Sequence, residues 1–161
     1  MPRNADAFAG GGRLALATQG CKVNQYETQV LLEEFLARGW ELVPFGRPAE
    51  LTVINSCTVT SGSDRDLRRL VHRARRAAPA GRILVTGCRA QVDPAGAAAL
   101  EGVDFVVDNL RKNEIPALAG GGGLGLLSAG IARELFPDRV EDAPITRLDG
   151  RGRAILKIQD G

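Results

Sequence analysis

The chain has 161 residues, 44% of them hydrophobic and 25% charged, with a net charge of +2. That composition fits a globular protein and excludes a disordered one, and so small a charge does not by itself argue for a nucleic-acid partner. The length suggests one domain, or one domain with an appendage, and a chain of this size buries roughly 70% of its unfolded surface, so its core needs no covalent staples.

Residues 1–12, MPRNADAFAGGG, are polar and Gly-rich and are expected to form a disordered lead, with no signal-peptide pattern. RLALAT at 13–18 reads as a first strand. Val30, Leu31 and Phe35 show helical spacing and predict a helix over about 24–38. WELVPF at 40–45 predicts a second strand ended by Pro44. LTVIN at 51–55 predicts a third, with the unbroken apolar character of a strand covered on both faces. A helix is expected over 61–78, capped by Ser61 or Ser63 and stopped by Pro79. RILVT at 82–86 predicts a fourth strand. Asp93-Pro94 opens a helix expected over 93–101, because a capping side chain followed by Pro suits a first turn. VDFVV at 103–107 predicts a fifth strand, and a short helix at 111–118 closes the unit.

Strands alternating with helices predict an α/β fold: an open parallel five-stranded sheet with helices on both faces, flavodoxin- or Rossmann-like, over 13–118. Residues 119–152 read as a Gly-rich linker. RAILKIQ, within 153–161, reads as a further strand, and its position at the chain terminus suggests a truncated second domain. No apolar run approaches transmembrane length, so a soluble, cytoplasmic monomer with no membrane partner is expected.

The three cysteines are an odd number in a chain that does not need disulfides, which favours a reducing compartment with free thiols or metal ligands. Cys21, Cys57 and Cys88 each follow a strand signal, and two of them have Gly immediately before. In an open parallel sheet the carboxyl ends of the strands form one edge, where ligands bind. Were the first, third and fourth strands neighbours, the three thiols would converge there. Taken singly, each is as well read as an inert core cysteine. Zinc on three thiolates would need a fourth ligand, and His72 falls in mid-helix among arginines. An iron–sulfur cluster with four iron corners would keep one corner open on three cysteines.

GCKVNQYE at 20–27, NSCTVT at 55–60 and TGCRAQ at 86–91, in this order, resemble the N-terminal domain of the radical-SAM methylthiotransferases. KIQDG at 157–161 resembles the start of that family's central barrel. Cys-Lys-Val-Asn is most similar to the branch that methylthiolates N6-threonylcarbamoyladenosine next to the tRNA anticodon. Other branches act on isopentenyladenosine or on a ribosomal protein.

The resemblance implies an auxiliary 4Fe–4S cluster on Cys21, Cys57 and Cys88, whose open iron holds the sulfur to be transferred. It implies a second 4Fe–4S cluster and S-adenosylmethionine in the full-length protein, with tRNA as substrate and the chain's own radical-SAM domain as partner. Gly20, Asn24, Asn55, Gly87 and Gln91 match the family's motif positions; they serve either around the cluster or as ordinary caps and turns. The CxxxCxxC motif that follows KIQDG in the family is absent, so this polypeptide alone is expected to be inactive.

On the helix expected at 61–78, Arg65, Arg68, Arg69, His72, Arg75 and Arg76 recur on one face. They form either a solvated face or a footprint for tRNA phosphates, with Arg68, Arg69, Arg75 and Arg76 as the candidate contacts. A flavodoxin-like module for a nucleotide or flavin is a further alternative, although no GxGxxG follows the first strand.

Overall fold

The computed structural model describes residues 11–58 and 62–120. Five strands, β1 (Arg13–Thr18), β2 (Glu41–Leu42), β3 (Leu51–Ser56), β4 (Arg82–Gly87) and β5 (Phe105–Val106), form one sheet in the order β2-β1-β3-β4-β5. Every pairing is parallel. The chain moves outward from β1 in one direction to β2 and in the other to β3, β4 and β5, so the sheet has a switch point between β1 and β3.

Helices cover both faces. Against one face lie α1 (Lys22–Ala37) and α5 (Ile115–Gly120): Leu31, Phe35, Ile115 and Ala119 pack on Leu14, Leu51, Val53 and Leu84. Against the other lie α2 (Ser63–Ala77) and the two short helices α3 (Cys88–Val92) and α4 (Pro94–Ala98). There Leu67, Val71, Ala74, Ala90 and Ala97 pack on Ile54, Ile83 and Val85. Alternate residues of β3 and β4 thus serve opposite cores, the two-residue period of a pleated strand. This double coverage is why every residue of β3 is buried. Phe35 and Trp40 meet edge to face, ring centroids 5.3 Å apart, and close the first core beneath α1.

The two edge strands are shorter than expected. Trp40 is buried in the core under Phe35 instead of pairing in the sheet, and Pro44, with no N–H to donate, follows the last β2–β1 bond, Val43 N–H to Leu14 O. At the other edge Val103 is held in a turn by its bond to Leu100 O, which leaves Phe105–Val106 for β5. The helix expected at 93–101 is α4 alone, while α3 was not foreseen. Asp93 does cap α4, accepting from Gly96 N–H at 2.9 Å. Before α2 the capping position is Gly62, with no side-chain cap; Ser63 is the helix's first residue and buried, and Ser61 lies outside the described residues. The segment expected as a helix at 111–118 is a 3₁₀ turn, Lys112–Glu114, followed by α5, which carries Ala119 into the core. Most of the expected lead, the linker from 121 on and the strand expected at the terminus lie outside the described residues.

Candidate metal centre

β1, β3 and β4 are neighbours, so their carboxyl ends share one edge of the sheet. Cys21 occupies the capping position of α1, Cys57 follows β3 directly, and Cys88 is the first residue of α3. Ser56 is paired with Gly87, so Cys57 and Cys88 each stand one residue past the last paired position on adjacent strands. Parallel strands run about 4.8 Å apart, which sets the scale of the separation across this edge. The three thiols differ in access: Cys21 is exposed, Cys57 is 3% exposed, and Cys88 lies between.

The two glycines beside the cysteines are there because nothing larger fits. Gly20 has φ +86°, and a Cβ on it would stand 2.5 Å from Cys57 Sγ. The backbone of the β1–α1 turn at Gly20 is thereby packed against Cys57. Gly87 has φ +94° and ψ −163°, a conformation essentially restricted to glycine. A Cβ there would meet Asn55 Oδ1 and Ser56 O at 2.4 Å.

Two buried amides tie the ends of β1 and β3 together, and a serine joins β3 to β4. Asn24 Nδ2 donates to Gln19 O and to Ser56 O, both at 2.9 Å, joining the β1–α1 turn to the end of β3. Asn55 Nδ2 donates back to Asn24 O at 2.9 Å and to Thr28 Oγ1 at 3.1 Å. Ser56 Oγ donates to Thr86 O at 2.6 Å, linking β3 to β4. Asn24 and Asn55 are 2% and 1% exposed, and the four bonds from their Nδ2 atoms go to the protein's own oxygens. Their side-chain amides therefore hold the loops. Gln91 Oε1 accepts from Asn109 N–H at 3.1 Å, fastening α3 to the loop after β5.

Three charged residues at this edge escaped the sequence reading. Lys112 is 3% exposed, pairs with Glu27 on α1 and reaches Asn55 Oδ1 at 3.4 Å. Arg89, next to Cys88, pairs with Asp64 at 3.4 Å and Asp93 at 3.2 Å. Glu27 and Lys112 are 85 residues apart, so no local pattern announces them. Burial pushes the Cys88 thiol above its ordinary range; the neighbouring Cys57 adds to this, Lys112 opposes it, and Cys21 and Glu27 add smaller upward effects. On the α2 side of Cys57 an open cavity of about 400 Å³ is lined by Gln19, Gly20, Ser63, Asp66 and Arg69.

Among the described residues no three His, Cys, Asp or Glu side chains are gathered as ligands of a single metal ion. His72 is exposed on α2, away from the strand ends. The α2 arginines also divide. Arg68, Arg69 and Arg76 are exposed, Arg69 beside Asp66 at 3.5 Å. Arg75 is committed to the fold: it donates to Pro79 O, Gly81 O and Gly102 O and pairs with Asp104 at 2.6 Å.

The architecture is thus a doubly covered parallel sheet presenting thiols at three neighbouring strand ends. Residues 13–108 match the model of the uncharacterized protein family UPF0004, and the chain belongs to that family. It is 43% identical over 103 residues to the threonylcarbamoyladenosine tRNA methylthiotransferase MtaB of Aquifex aeolicus, covering 64% of this chain and 25% of that protein. It is 38% identical to the MtaB of Bacillus subtilis, covering 92% of this chain and 33% of that protein. The ribosomal protein uS12 methylthiotransferase RimO of Moorella thermoacetica is 31% identical, over 92% of this chain and 34% of its own length. The chain therefore spans a quarter to a third of the length of these methylthiotransferases.

Proposed function

We propose that residues 13–118 are the auxiliary-cluster domain of a tRNA methylthiotransferase, holding a 4Fe–4S cluster on Cys21, Cys57 and Cys88. One observation carries this reading: three thiols on the carboxyl ends of β1, β3 and β4, with the Gly20 backbone packed on Cys57. The donor set is all thiol, which suits iron–sulfur ligation. The thiols are not drawn together as for one ion, but a cluster holds each thiolate on a separate iron and supplies part of the ordering energy on binding. When bound, the cluster would offer one iron without a cysteine ligand, the place for the sulfur to be transferred.

The chain's own residues do the rest. Gly20 and Gly87 let the backbone turn tightly beside the thiols, Asn24 and Asn55 join the loops after β1 and β3, and Ser56 joins β3 to β4. The substrate we favour is N6-threonylcarbamoyladenosine beside the tRNA anticodon, modified at C2, because six relatives of this chain are proteins named for it. C–H activation would require a second 4Fe–4S cluster and S-adenosylmethionine in the whole enzyme's radical-SAM domain, so the described unit alone transfers nothing. We place the enzyme in the cytoplasm, where tRNA and a reducing thiol pool coexist; among the described residues no helix is long and apolar enough to cross a membrane.

Anaerobic reconstitution of the chain should load about four irons, with the broad absorbance of a cluster that bleaches on reduction. Cys57→Ala should abolish loading. A folded wild-type chain that stays colourless refutes the cluster reading, and a flavin-type spectrum would favour a nucleotide-binding module instead. For the substrate, nucleosides from cells carrying Cys57→Ala should lack the methylthio group on threonylcarbamoyladenosine. Its persistence would reassign the branch.

A further inference from the structure

Lys112 is an unusual residue to find 3% exposed in a sheet-edge loop. Taking an ammonium out of water is costly unless it is paired and hydrogen-bonded. Here Glu27, itself largely covered, pairs with it, and Asn55 Oδ1 lies 3.4 Å from its Nζ. Asn55 Oδ1 in turn lies against Gly87, the residue immediately before Cys88. The cation is thus one side chain removed from the thiol edge, on the α1 side of the sheet, opposite the cavity beside Cys57.

An ion pair that served only to join the 3₁₀ turn to α1 would be no better than an apolar pair of the same volume. Its position at the thiolate edge gives the charge a consequence. Charges that solvent does not reach are weakly screened, and their fields persist over several ångströms. Asn55 Oδ1, which Lys112 reaches at 3.4 Å, lies against Gly87, directly before Cys88.

We propose that the buried Lys112 ammonium, restrained by Glu27 and Asn55, is a positioning charge for the thiolate site, raising the reduction potential of the cluster bound there. The inference rests on the cluster reading above. A cluster gaining one electron becomes more negative, so a fixed cation favours its reduced form and a fixed anion opposes it; net charge and solvent access are among the main determinants of such potentials. Lys112 and Glu27 therefore work against each other.

The test is a spectroelectrochemical titration of the anaerobically reconstituted 161-residue chain and its Lys112→Met, Glu27→Gln and Lys112→Arg variants. Lys112→Met should shift the potential to more negative values and Glu27→Gln to more positive ones, while Lys112→Arg stays near the wild type. A structural ion pair predicts instead lower melting temperatures without opposite shifts. Potentials that do not move, or move the same way in Lys112→Met and Glu27→Gln, overturn the proposal and leave the cluster reading standing. A wild-type chain that takes up no iron overturns both. Should Lys112→Met fail to fold, the positive shift in Glu27→Gln and its absence decide the matter.

Discussion

At single residues, the site is defended by backbone geometry as much as by thiols. Gly87→Ala places a Cβ 2.4 Å from backbone and side-chain oxygens at φ +94°, and the clash is with atoms that cannot step aside. Such a conformation costs of order 1–3 kcal/mol for a non-glycine residue before any clash is counted. We expect a clear fall in melting temperature and loss of iron uptake. Asn24→Ala removes a donor from the buried acceptor Ser56 O and another from the part-buried Gln19 O. Leaving buried partners unsatisfied costs about 1–3 kcal/mol each at most, so a fall of roughly 2 kcal/mol in denaturant unfolding is expected.

The Cys88 thiol has a testable sign. Its folded-state pKa is raised, mainly by burial, so its contribution to stability is present below the unfolded thiol's value, about 8.5, and is lost as pH rises through the folded value. The metal-free chain should melt at lower temperature as pH increases above that point, and Cys88→Ser should flatten the decline. The cysteines and their flanking glycines were legible from strand-end placement and order. Lys112 was not, because its partner lies far away in sequence and only the folded sheet edge brings them together.

Among the elements, the apolar β1, β3 and β4 fall where their patterns place them, and in β3 and β4 burial on both faces leaves little choice. The edge strands were less legible: Trp40 and Val103 read as strand residues, but packing and a turn claim them. α3 was missed because CRAQV is a single turn and a half without a periodic face of its own. On α2 the regular spacing of arginines concealed two roles. Arg75 staples the α2–β4 loop and the turn before β5 through three carbonyls and Asp104. Arg75→Ala should destabilise the chain by about 1–3 kcal/mol, since hydrogen bonds to a charged group disappear along with the pair. Lys in its place should recover only part, because it lacks the planar fork of donors.

For the whole molecule, the remaining arginine face can be separated from the fold. Changing Arg68, Arg69 and Arg76 together to Glu alters exposed positions and should leave the melting transition nearly unmoved. A solvated face predicts unchanged tRNA affinity in a filter-binding assay. An arginine face that neutralises phosphates would show instead as a shallower dependence of log affinity on log salt, by about one for each phosphate left without its cation. The sheet's class and its coverage were readable from alternating strand and helix signals. The strand order was not, because crossover connections do not announce on which side of β1 each strand will lie.

The Ser56–Gly87 pairing also makes the site a measuring device for chain length. Because successive residues of a strand face opposite sides, one extra residue within β4 would reverse every side chain beyond it and send the Cys88 sulfur to the wrong side of the edge. An insertion in the 79–81 turn leaves the strand register unchanged, although it disturbs the bonds Arg75 makes to Pro79 O and Gly81 O. The placement of Cys57 and Cys88 thus depends on the count of residues inside β3 and β4. A one-residue insertion series across 78–87 should show iron uptake ending abruptly where the turn gives way to strand.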